Sequence, residues 1–178
     1  MSTERIKYIP KETLITFELQ GALPIFRETY HSPQVGTVIL KGLLNQSAHI
    51  ELEDGARYRT LSPRKDKLYP TDLTYPVVHL PDKSAVFYMR TPLNLPKGTI
   101  PRLRFTTSLD EQQYVFKQIS PGQRGFELWD GMEMNKLVER EISSAKLIPN
   151  LTVLVPVPAL LILLFPWLDS QTVLYRQR

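Results

Sequence analysis

The side chains in this sequence whose type and spacing could do chemistry are cationic. Five fall within RYRTLSPRKDK, namely Arg57, Arg59, Arg64, Lys65 and Lys67, and two more, Arg102 and Arg104, fall within PRLRF. Arg57 and Arg59 are two residues apart, as are Arg102 and Arg104, so on a strand each pair projects from one face. A face that carries several N–H donors and positive charge suits phosphate groups, such as those of lipid headgroups. The competing account is an ordinary solvated outer face with Asp and Glu nearby. Other chemistries find less support. His31, His49 and His79 are far apart and form no i, i+4 pair, so a zinc site of the HExxH type is not expected. The chain has no cysteine, which excludes disulfides, thiolate metal ligands and cysteine nucleophiles. There is no GxSxG elbow, Walker loop or GxGxxG. The carboxylate neighbours Glu53-Asp54 and Asp110-Glu111 read as solvated turn residues rather than an acid/base pair. No catalytic residue, metal or cofactor is therefore expected, and binding is favoured over catalysis.

Length and composition set the frame in which those residues must be held. With 178 residues, 42% hydrophobic and 22% charged, the chain has the make-up of one folded domain spanning 1–178. The net charge of +4 and isoelectric point near 9.3 favour anionic partners weakly. The first residues, MSTERIKYIPKETLITFEL, contain no apolar run of signal-peptide length. The expectation is a cytoplasmic protein, peripheral to a membrane if it meets one.

The elements that position the cations read as strands. Short apolar runs rich in Val, Ile, Phe, Tyr and Thr recur along the chain as TLITFEL, TVILKGLL, AHIELEDG, RYRTL, SAVFYM, LRFTT, QYVFKQI, GFELWDG and KLVEREI, bounded by Gly, Pro, Asp or Asn. Seven of the fifteen prolines lie between residues 63 and 101, which predicts loops and edge strands there. MEMNKLVEREISSAKL is rich in helix formers, but it follows the Asp130-Gly131 turn signal, so a returning strand is preferred.

Residues 38–62 align without a gap on 114–138, at an offset of 76, with six identities including Asp54/Asp130 and Gly55/Gly131. Both segments read strand, loop, strand, Asp-Gly turn, strand. A duplication explains this, and so does the similarity of any two hairpins that share turn chemistry. Meanders of this kind hide their edges by closing into a barrel.

Near the C-terminus, residues 147–168 carry no charge, which is long enough in residue count to span a bilayer. Pro149, Pro156, Pro158 and Pro166 interrupt the stretch. A helix from Pro158 to Ser170 would be roughly 20 Å long, short of a hydrocarbon core of roughly 30 Å. A helix apolar on every face must be enclosed by lipid or by protein. Two readings follow. In one, the strands enclose the helix. In the other, residues 147–168 form a tail anchor below a cytoplasmic β domain.

The layout of an all-β chain ending in an apolar helix resembles the tubby C-terminal superfamily, which includes LURP-one-related proteins and phospholipid scramblases. The ending PALLILLFPWLDSQTVLYRQR is similar to the tubby ending, with Trp167-Leu168-Asp169-Ser170-Gln171 at the helix-to-strand junction. The turns HIELEDGARYRTL and GFELWDGMEMNKLVER resemble the hairpins of LURP-one-like members. The resemblance implies a closed antiparallel β-barrel of about 12 strands, filled by a helix over about 158–170 and followed by a short strand over about 171–176. It also implies non-enzymatic binding or scaffolding, with anionic phospholipid or a membrane surface as the partner. Nucleic acid is disfavoured, because Tyr58 and Phe105 beside the arginines belong to no nucleic-acid signature, and a protein partner is left open.

Overall fold

The computed structural model describes residues 6–23, 27–42, 47–93, 102–121, 125–141 and 150–175, with side chains described over the same ranges except 21–23 and 172–175. The strands in chain order are β1 (Tyr8–Ile9), β2 (Leu14–Ile15), β3 (Glu18–Leu23), β4 (Arg27–Ser32), β5 (Gly36–Lys41), β6 (Ser47–Leu52), β7 (Arg57–Thr60), β8 (Arg64–Lys65), β9 (Asp72–Leu80), β10 (Ala85–Pro92), β11 (Arg104–Leu109), β12 (Gln112–Gln118), β13 (Phe126–Asp130), β14 (Lys136–Arg140), β15 (Leu151–Val153) and β16 (Val157–Pro158). Two helices follow, α1 (Ala159–Ile162) and α2 (Phe165–Tyr175).

Fourteen of these strands form one antiparallel sheet in the order β2-β15-β14-β13-β12-β11-β10-β9-β7-β6-β5-β4-β3, with β8 beside β9, while β1 pairs separately with β16. Among the described residues the strand count thus exceeds the expected twelve or so, because short pieces such as β8, β15 and β16 are too brief to show alternation in the sequence. Consecutive strands are mostly neighbours, which short turns enforce. Alternation then sorts the side chains: Val38, Leu40, Ile50, Phe105, Phe116, Leu128 and Val138 turn to the buried face, while Lys41, His49, Arg59, Arg104 and Lys117 take the other.

The proline-rich middle meets expectation in part: Pro63, Pro70 and Pro81 lie in loops or turns, Pro96 and Pro101 lie outside the described residues, and the departure is at β9 and β10. Strands β9 and β10, at nine and eight residues, are the longest in the sheet, and β9 has partners on both sides. Pro76 sits in the middle of β9 without breaking it. The nitrogen and carbonyl of one residue leave a strand on the same side, and the Pro76 carbonyl accepts from Leu61 N at 2.8 Å. The missing donor therefore faces the gap between β7 and β8, where the ladder is already interrupted. The segment after Asp130 does return as strand β14, as the Asp-Gly signal predicts; residues 142–149 of the competing helix pattern lie outside the described residues.

The two Asp-Gly hairpins are not superimposable copies. In the first, Glu51 pairs with Arg57 and Gly55 takes φ +89° at the turn. In the second, Leu128 pairs with Val138, so the turn is centred three residues later than the gapless alignment places it. Glu133, at φ +56°, supplies the left-handed position there. Gly131 is required for another reason: a Cβ on it would lie 2.5 Å from Gln113 Cβ.

The apolar C-terminal stretch is strand, turn, strand and then helix. Leu151–Val153 pairs with both β14 and β2, and Val157–Pro158 pairs with β1. Every residue from Val157 to Gln171 is buried. Phe165 packs edge-on to Phe116 with centroids 5.2 Å apart, and Trp167 sits 5.2 Å from Tyr75 and 6.1 Å from Phe105. No helix among the described residues is long and apolar enough to cross a membrane, which is what an anchor over 147–168 would need.

Two details of the helix differ from expectation. Pro158 is the N-cap rather than the first helical residue, because its backbone stays extended (ψ 130°) opposite Tyr8, and the next donor, Ala159 N, is spent on the Lys7 carbonyl at 2.8 Å. Pro166 does not end the helix; it divides it. Lacking an N–H, it cannot bond the Ile162 carbonyl, so the chain passes through Leu163 and Leu164 and restarts with Pro166 in the first turn of α2, where no donor is required. The short strand expected over 171–176 is also replaced. The chain continues as α2 to Tyr175, since residues 171–175 contain no glycine or proline to stop it. Residue 176 lies outside the described residues.

Candidate anion-binding face

The seven cations singled out by spacing fall into two groups. Arg57 and Arg59 both lie exposed on β7, on the outer face as alternation predicts. Strands β7 and β8 run along the same side of β9, Arg57 opposite Leu80, Arg59 opposite Val78 and Arg64 opposite Thr74. Arg57, Arg59 and Arg64 therefore form one row about 20 Å long beside β9. Lys65 and Lys67 are exposed at its end. None of the five makes an ion pair with a described carboxylate.

Arg102 and Arg104 are also exposed on one face, but their donors are engaged. Arg102 donates to the Ile119 carbonyl at 2.8 Å, and Arg104 pairs with Glu133 at 2.9 Å. Arg102 ties the start of β11 to the chain leaving β12, Arg104 braces the β13–β14 turn, and both stand apart from the free row.

The loop after β8 has a shape that spacing alone does not predict. Asp66 Oδ1 accepts from Leu68 N at 2.9 Å, an Asx turn that projects Leu68 into solvent at 81% exposure. Tyr69 beside it is held by Arg90, whose guanidinium carbon stacks 3.9 Å from the ring centroid. Arg64 lies 5.9 Å from the Tyr88 ring. A protruding apolar tip is thus flanked by Arg64, Lys65 and Lys67.

A second set of cations joins Arg59 across the sheet. Arg27 on β4 pairs directly with Lys41 on β5, and His49 on β6 pairs directly with Arg59 on β7, all on the outer face. Like charges directly opposite one another cost stability, and no described carboxylate forms an ion pair with Arg27, Lys41 or Arg59. Partial burial lowers the His49 pKa below its ordinary 6.5, with Lys41, Arg59 and Arg27 adding to the effect. Arg27, Lys41 and His49 escape a reading by sequence because they are 14 and 8 residues apart; only strand register makes them neighbours.

His49 gives a pH prediction. Its folded pKa is depressed, so the unfolded chain binds the proton more readily between the two values. Stability associated with this group is complete above about pH 6.5 and is lost as pH falls toward the folded value. The pH dependence of the unfolding midpoint below pH 6.5 should flatten in His49→Gln, and an unchanged profile would show that neither burial nor the neighbouring cations depress the His49 pKa.

No metal-binding group of three or more His, Cys, Asp or Glu occurs among the described residues. Comparison with protein-family models, curated proteins and solved structures finds no match to this chain.

Proposed function

We propose that this chain is a non-enzymatic binding domain of tubby-like build that recognises anionic lipid headgroups at a membrane surface. The tubby-like reading includes closure of the sheet around the helix. Two features support closure. Strands β2 and β3, the two ends of the pairing order, are joined by only Thr16 and Phe17, so one continuous stretch of chain supplies both edges. The C-terminal helix also meets strands spread through that order: β5 and β13 directly, β9, β11 and β12 through aromatic rings, and β14 through an ion pair.

The single observation that carries the membrane reading is the loop Arg64–Tyr69. An apolar side chain at 81% exposure costs solvation in water and gains on entering an interface, while the three cations beside it meet phosphate. Arg57 and Arg59 extend the same row, and Arg27 and Lys41 broaden it. The anionic cytoplasmic leaflet is the surface such a row fits.

Co-sedimentation with phosphatidylcholine vesicles, with and without phosphatidylserine, tests the reading. The wild type should sediment only with the anionic vesicles, and less so at high salt. At about 1 kcal/mol per cation near the surface, reversing both Arg64 and Lys65 to Glu should weaken binding by roughly thirtyfold or more. Leu68→Ser should weaken it without altering salt sensitivity. Sedimentation indifferent to all three substitutions would reject the proposal.

A further inference from the structure

At one end of the sheet, where the β6–β7 turn and the end of β9 meet the start of α1, the structure leaves a cavity of about 560 Å³ whose lining takes residues from both faces of β7, Arg57 from the outer and Tyr58 from the inner. Volumes of about 300 to 1,000 Å³ are typical of ligand pockets, which also favour the mouths of β-barrels. The cavity has two zones. Buried Leu52, Leu109 and Leu160, with half-buried Tyr58, form an apolar interior that reaches the helix itself, while Lys7, Asp54, Arg57 and His79 stand at the rim.

Most of the rim is already committed. Lys7 Nζ lies 2.7 Å from Glu53, and His79 Nδ1 lies 3.2 Å from Asp82. The Asp54 carboxylate accepts from Ala56 N within its own turn. Arg57 forms no ion pair with a described carboxylate, so its planar fork is the donor left for a ligand. A guanidinium suits a carboxylate in bidentate geometry. Asp54 on the rim, and Glu51 opposite Arg57 in register, would repel a dianion such as a phosphate monoester.

We propose that this cavity binds a monoanionic amphiphile, an acyl chain ending in a carboxylate, with the chain against Leu52, Leu109 and Leu160 and the carboxylate on Arg57. The site is separate from the membrane-facing loop: it needs Arg57 and the cavity but neither Arg64 nor Leu68.

Isothermal calorimetry of the full chain with decanoate, decanol and acetate tests this. Decanoate should bind, decanol more weakly, and acetate not at all. Loss of a charge-assisted hydrogen bond in Arg57→Gln should weaken decanoate about tenfold or more while leaving decanol nearly unchanged. Val86→Trp, at a partly exposed position of the lining, should narrow the cavity and weaken both without threatening the core. The Arg64→Glu/Lys65→Glu protein should keep its decanoate affinity, which separates this site from the headgroup site. Absence of decanoate binding, equal binding of decanoate and decanol, or preference for a short apolar peptide with a free C-terminal carboxylate would each overturn the proposal.

Discussion

A chain ending at Pro156 should lose cooperative folding. That truncation leaves every strand of the large sheet in place and removes only β16, α1, α2 and the residues beyond. The removed segment nevertheless carries eight large buried apolar side chains: Leu160, Leu161, Ile162, Leu163, Leu164, Phe165, Trp167 and Leu168. At roughly 1.5 to 3 kcal/mol each, their burial matches or exceeds the roughly 5 to 15 kcal/mol net stability of a whole domain. The loss is compounded on the sheet, where Tyr75, Phe105 and Phe116 would face water instead of Trp167 and Phe165. Circular dichroism and denaturant titration provide the check. The truncated chain should show no sigmoidal transition and should bind a hydrophobic dye, whereas a cooperative transition near that of the full chain would mean that the helix is an accessory to the sheet. Trp167→Ala samples the same core more gently, with an expected loss of about 3 to 5 kcal/mol.

This dependence explains which parts of the structure were legible in the residues. Alternation in TVILKGLL and AHIELEDG reports a half-buried sheet, because side chains two apart share a face and one face is dry. The need of an all-round apolar helix for an enclosure follows from solvation alone. What local pattern cannot carry is register. Pro76 reads as a strand breaker until its missing donor is seen to face the interruption between β7 and β8. Asp54-Gly55 and Asp130-Gly131 read as the same turn until pairing shows one glycine supplying a left-handed φ and the other making room for Gln113. The candidate site divides in the same way. The row Arg57, Arg59 and Arg64 is visible because it is nearly contiguous in sequence, whereas Arg27 and Lys41 reach the same face from strands β4 and β5. Arg102 and Arg104 share the spacing of Arg57 and Arg59 but spend their donors on Ile119 and Glu133, and spacing is blind to that.

Removing Asp169 should destabilise the protein by about 3 to 5 kcal/mol, although it touches no proposed ligand. Asp169 is the first charged side chain after Lys146 and is itself fully buried on α2. An isolated carboxylate there would be prohibitively costly, so the fold must bring a cation to it. It does so from Arg140 at the inner face of β14: Nη1 donates to Oδ1 at 2.9 Å, and Nη2 lies 2.8 Å from Oδ2. Gly125 closes over the guanidinium so tightly that a Cβ would meet Arg140 Nε at 3.1 Å. Two charges in such a place cost desolvation that their attraction only roughly repays, but deleting one partner strands the other. Asp169→Ala and Arg140→Met should therefore each lose about 3 to 5 kcal/mol in denaturant titration. The double variant Arg140→Met/Asp169→Leu should be more stable than either single variant, since it replaces the pair with apolar volume. Losses in the double variant equal to the sum of the singles would mean that the two groups act independently. The strong coupling expected instead would identify the pair as the contact that fixes the rotation and depth of α2 within the sheet, where apolar packing alone would accept several positions.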